Sequence, residues 1–195
     1  MRNADYLLIS DFFSDGTSLS LSIAKELRGK IFLVASEHIS FIKRLIGEYE
    51  LAGRVILFAT RPWEEGIYII NLLNLNDISI AVSKILEKDS GIFIFTIIPE
   101  LLMIHGLEKT YMFLHNTITK IRAVNGCTLA VINSHTVTKK EEKILQKLFS
   151  NTIFVKRKGE KREIHLEYPA EIKQEIAFEG LKVDSKEIMK ILEKI

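Results

Sequence analysis

Residues 11–18 read Asp-Phe-Phe-Ser-Asp-Gly-Thr-Ser. They lie between an apolar run, Tyr6-Leu7-Leu8-Ile9, and a helical pattern with Leu19, Ile23 and Leu27 on one face. A strand, a short polar loop and a helix aim backbone N–H groups at a helix N-terminus, where phosphate oxygens bind. The phosphate-binding pattern G-x-x-x-x-G-K-[ST] adds a lysine for the β- and γ-phosphates and a hydroxyl for magnesium. This stretch reads D-x-x-x-x-G-T-S. Gly16 and Ser18 hold the second glycine and hydroxyl positions, Thr17 stands in the lysine's place and Asp11 in the first glycine's. Asp15 adds a second negative charge. Carboxylates facing a polyphosphate cost on the order of a few kcal/mol at an effective dielectric near 20, and no lysine offsets them. ATP and magnesium are therefore disfavoured. The competing reading is a strand–turn–helix junction with Ser14 or Asp15 capping the helix.

Other chemistry is sparse. The five histidines, His38, His105, His115, His135 and His165, form neither H-x-x-x-H nor H-E-x-x-H, so no zinc site is expected. The one cysteine, Cys127, opens an apolar run and reads as a small core residue in a reducing cytoplasm. Lys156, Arg157, Lys158, Lys161 and Arg162 cluster around a turn and could touch nucleic-acid phosphates, but Glu160 and Glu163 dilute the charge and no aromatic interleaves it. Charged residues are 27% of the chain and the formal net charge is +2, which does not argue for an extended nucleic-acid face. No apolar run approaches the roughly 18 residues of a membrane span.

The elements that must position these residues alternate. Apolar runs at 6–9, 31–35, 54–58, 91–98 and 127–132 read as buried strands of a parallel sheet covered on both faces. Helical patterns lie between them at 18–27, 38–49, 77–86 (with Asp77 as N-cap), 108–124 and 138–149, the last opened by a Thr138–Glu141 capping box. Such alternation defines an α/β fold with right-handed crossovers. The pattern then changes: 152–156 and 163–168 flank a turn as an antiparallel hairpin, a strand follows at 172–178, and Asp184 opens a terminal helix with Ile188, Ile191 and Leu192. We read one domain over 1–195, with a core at 5–168 and an extension at 169–195. Two apolar segments, Leu101–Ile104 and Ile67–Ile70, exceed what these strands need and suit either core packing or contact with another subunit.

In this order of elements the chain resembles the RecA/KaiC/RadA group of P-loop ATPases, most nearly the archaeal KaiC-like branch, over residues 5–168. The resemblance implies a three-layer fold with a mainly parallel sheet and a C-terminal antiparallel hairpin. It aligns Ile92-Phe93-Ile94-Phe95-Thr96, followed by Glu100-Leu101, with the strand that normally ends in a magnesium-binding aspartate. Thr96 stands in that aspartate's place. Ser36-Glu37 falls where a glutamate activates the attacking water, which makes Glu37 the sole, weak, catalytic candidate. Ser134-His135 falls where polar residues sense the γ-phosphate, facing the same crevice as loop 11–18. With lysine and aspartate both replaced, the resemblance implies a cytoplasmic pseudo-ATPase that binds no cofactor. It would act as an assembly or regulatory subunit, as a homo-oligomer or with a RecA-like partner. The alternatives are a residual nucleotide-binding switch and a nucleic-acid-binding recombinase-paralogue-like protein.

Overall fold

The computed structural model describes residues 4–27, 29–60, 68–159, 161–167, 172–179, 182–183 and 190. Asp184, Ile188, Ile191 and Leu192 of the expected terminal helix lie outside the described residues.

The short apolar runs become strands because β-branched and aromatic side chains fit a pleated surface buried on both faces. These are β1 (Asp5–Ser10), β2 (Ile31–Ala35), β3 (Val55–Ala59), β4 (Tyr68–Ile69), β5 (Ile92–Phe95), β6 (Cys127–Asn133) and β7 (Asn151–Lys158). The last three strands are β8 (Lys161–Leu166), β9 (Ile172–Glu179) and β10 (Lys182–Val183). The helices are α1 (Phe13–Glu26), α2 (Ile39–Glu48), α3 (Leu75–Leu86), α4 (Ile98–Ala123) and α5 (Lys139–Gln146). The sheet order is β10-β9-β8-β7-β1-β6-β5-β2-β3-β4. Every pairing from β4 to β7 is parallel, and β8, β9 and β10 continue antiparallel. The expected mainly parallel sheet with a C-terminal hairpin is thus the observed one.

Alternate strand residues feed two cores. Leu8, Leu33, Ile94 and Leu129 pack with α1, α2, Ile176 and Val183, while Leu7, Phe32, Phe93 and Ala130 pack with α3, α4 and α5. Burying each such leucine, isoleucine or phenylalanine side chain contributes roughly 1.5–3 kcal/mol. The order of strands brings the carboxyl ends of β1, β6, β5 and β2 to one edge, where residues 10–18, 36–37, 96–100 and 133–135 meet. The far end of α1 is held by Arg54, whose guanidinium donates to the carbonyls of Ala24, Lys25, Leu27 and Gly29. A helix C-terminus leaves those acceptors without internal partners, and a cation there also suits the macrodipole.

Several boundaries differ from the sequence reading, each for a local reason. The 91–98 run splits: the strand ends at Phe95, and Ile98-Pro99 open α4, because proline suits the first helical turn. Leu101–Ile104 is the start of that helix rather than a separate segment, and Gly106, at φ 74° and ψ 172°, kinks it ahead of the expected 108–124 stretch. Leu101 and Leu102 are buried there, whereas Met103 is exposed. Helix α3 is capped by Asn74, which accepts from Asn76 N–H, and Asp77 lies inside its first turn. The Thr138–Glu141 capping box forms as expected.

Candidate functional site

The main departure falls on residues 11–18. Helix α1 starts at Phe13, so this stretch is two residues of bend followed by helix. The N–H groups of Asp15 and Gly16 both donate to the Phe12 carbonyl, at 3.0 and 3.4 Å. Donors that would face an anion in a phosphate-binding loop are here spent on the helix. Phe12 is the N-cap residue, and neither Ser14 nor Asp15 caps as expected. Gly16 has a packing reason: a Cβ there would lie 2.6 Å from Val131 Cγ1 and 2.8 Å from Ser10 Oγ. Ser18, at the magnesium-hydroxyl position, is buried and bonds the Tyr49 hydroxyl at 2.7 Å. That hydroxyl accepts Val183 N–H, and Ser22 donates to the Val183 carbonyl, so the C-terminal strands are tied down across α1.

The residues at the lysine, aspartate and glutamate positions bond to one another. Thr17 Oγ1 donates to Glu37 Oε1 at 2.7 Å, and Thr96 Oγ1 donates to Glu37 Oε2 at 2.5 Å. Both threonines are fully buried, and Glu37 is half-buried. Ser36 donates to Glu100 Oε1 at 2.7 Å, which brings Glu100 beside Glu37, a neighbour the sequence did not announce. Burial pushes the Glu37 carboxyl above the usual carboxylate range. The hydroxyls of Thr96 and Thr17 pull it down, and the charge of Glu100 pushes it up again. A carboxylate wired to two hydroxyls fixes the ends of β2, β5 and α1 relative to each other. A cleft of about 270 Å³ lined by Ser36, Glu37, His38 and Ile42 opens beside it. The larger groove, about 580 Å³, lies between α3 and the β3–β4 edge, away from this cluster.

Beside it, Ser134 Oγ donates to Asp11 Oδ1 at 3.0 Å and Asn133 Nδ2 to the Asp11 carbonyl at 3.3 Å. His135 is exposed and donates its backbone N–H to Asn133 Oδ1 at 2.8 Å. Asp11 and Ser134 therefore meet at the strand ends, and His135 does not join them.

Asp15 goes elsewhere. Its buried carboxylate accepts from Arg162 Nε at 2.6 Å and Nη2 at 3.3 Å, and from Arg157 Nη2 at 3.1 and 3.3 Å. Arg157 also lies over the Phe12 ring, 3.7 Å from its centroid. Lys158 pairs with Glu163. Of the basic cluster, Arg157, Arg162 and Lys158 are thus engaged with acids of the same chain, and Lys156 and Lys161 are exposed. The sequence did hold one signal of this. Arg157 and Arg162 face each other across the hairpin, and like charges in register are destabilising unless an acid offsets them.

Among the described residues, no group of histidine, cysteine, aspartate and glutamate side chains could hold a metal ion, and no helix is long and apolar enough to cross a membrane.

Strand order, crossovers and the crevice at the strand ends define a KaiC-like RecA fold. A similar solved structure is the KaiC-like protein PH0186 of the hyperthermophilic archaeon Pyrococcus horikoshii OT3. It superposes with a TM-score of 0.61 at 14% identity, over 93% of this chain and 89% of that one. At that identity the likeness fixes the fold. No protein-family model and no curated protein matches the sequence.

Proposed function

We propose that this chain is a RecA-fold protein without ATPase chemistry, acting as an assembly or regulatory subunit through its surface. The observation that carries the reading is the closed Thr17–Glu37–Thr96 cluster. A water-activating glutamate needs a carboxylate oxygen free to take a proton from the attacking water, and here each Glu37 oxygen already accepts from a threonine standing where lysine or aspartate would organise phosphate and metal. The helical start at Phe13 points the same way, because it removes the loop that would wrap a phosphate. Exposed Leu73, Met103, Ile104 and Met112 supply apolar surface of the kind that subunit contacts use. The nucleic-acid alternative is weakened by the engagement of Arg157 and Arg162 with Asp15.

Native mass measurement and a phosphate-release assay test this together. The expected result is a dimer or larger assembly with no release above a protein-free blank. A strict monomer counts against the assembly role, and magnesium-dependent release that disappears in Glu37→Gln counts against the loss of chemistry.

A further inference from the structure

Asp15 is bound the way a protein binds an anion. Its side chain is 2% exposed, that of Arg162 is 6% exposed, and the Arg162 fork spans both carboxylate oxygens. Arg157 adds a second guanidinium from the neighbouring strand, held in place by the Phe12 ring. A guanidinium fork fits carboxylate, phosphate and sulfate edges by the same geometry. Two arginines in register on β7 and β8 repel unless an anion sits between them. Arg162 is buried as well as charged, so the anion opposite it is part of the folded arrangement. It arrives from another element, α1, rather than from the hairpin itself. Exposed Lys156 and Lys161 add positive potential around the hairpin.

We propose that Arg157 and Arg162 form an oxyanion-binding site that the chain's own Asp15 carboxylate occupies, keeping it closed to phosphate- or sulfate-sized ligands. Asp15 acts as a tethered ligand at high effective concentration, so a free oxyanion competes poorly in the wild type. Removing its charge opens the site. The inference does not depend on the proposed function: that reading fails if the wild type is a strict monomer or hydrolyses ATP, and this one fails at Asp15.

The test is thermal melting of wild type, Asp15→Asn, Asp15→Ala and the double variant Asp15→Asn/Arg162→Gln in inorganic phosphate. Chloride at matched ionic strength is the reference. A saturable rise of about 4 °C by about 20 mM phosphate is expected for D15N and D15A. The rise should be larger for D15A, which leaves room for the ligand, and missing from the wild type and the double variant. A variant that folds only when phosphate is present gives the same answer. No phosphate-specific rise in either single variant overturns the proposal, as does an equal rise in all four proteins or the failure of both single variants to fold even with phosphate.

Discussion

Replacing Arg162 with alanine lowers the stability of the fold by about 3 kcal/mol, since removing one partner of a buried ion pair leaves an uncompensated buried charge. Asp15 is that charge: its side chain is 2% exposed and receives its shortest contact, 2.6 Å, from Arg162 Nε. Arg157 remains, so the loss falls at the low end of the usual range for a broken buried pair. It corresponds to a fall in Tm of roughly 6–12 °C for a chain of this size. Arg162→Lys recovers only part of it, because an ammonium cannot make the two parallel bonds of the fork. Chemical denaturation of the two variants reads this directly. If Arg162→Ala melts with the wild type, the hairpin arginines are surface charges and the account of Asp15 is wrong.

The second large effect depends on pH. The double variant Thr17→Val/Thr96→Val removes both hydroxyl donors from Glu37 and costs about 3 kcal/mol at pH above the folded Glu37 value, where the carboxylate is charged and each bond to a charged group contributes about 1.5–3 kcal/mol. Those bonds pull the raised Glu37 value down, so their loss raises it further. A carboxyl whose folded value lies above its unfolded one favours the folded state when protonated. The associated stability is fully present below the ordinary value of 4.5 and is lost as pH rises through the folded value. The cost of the double variant therefore shrinks as pH falls toward 4.5. Glu37→Gln keeps an acceptor for one threonine and a donor for the other without the charge. It gains stability relative to the wild type as pH rises through the same window. Urea melts at a series of pH values distinguish this from a purely steric role, for which the cost of the double variant would be the same at every pH.

The fold was legible because the signal was redundant. Continuous apolar runs such as Ile31–Ala35 and Ile92–Phe95, separated by helical patterns, admit few arrangements other than a parallel sheet with both faces covered. The boundary of α1 was not legible for a physical reason. Phe13-Ser14-Asp15-Gly16 has weak helix propensity, and Gly16 argues for a turn. The close approach of Val131 and Ser10 that demands a glycine exists only after the sheet has formed. The candidate site was half legible. Glu37, Thr17 and Thr96 were each placed by the order of elements, and their mutual hydrogen bonds follow from the strand order 6-5-2 beside β1. Glu100 and the Asp15 clamp join residues 64, 142 and 147 positions apart. Nothing local in the sequence links those groups.

The measurement that most directly tests whether the phosphate positions are filled by the chain itself is the melting temperature of the wild type in ATP with magnesium, set against ADP, GTP and buffer alone. A ligand at one hundred times its dissociation constant adds about 2.7 kcal/mol to the folded state and would raise Tm by several degrees. The account predicts no shift at several millimolar ATP–magnesium. It predicts none for Thr17→Lys either, which restores a charge but leaves the Asp15 and Gly16 N–H groups bonded within α1. A saturable, magnesium-dependent rise in the wild type would contradict it: residues 11–18 would then hold phosphate without a lysine, and α1 would have to unwind at its first turn to do so.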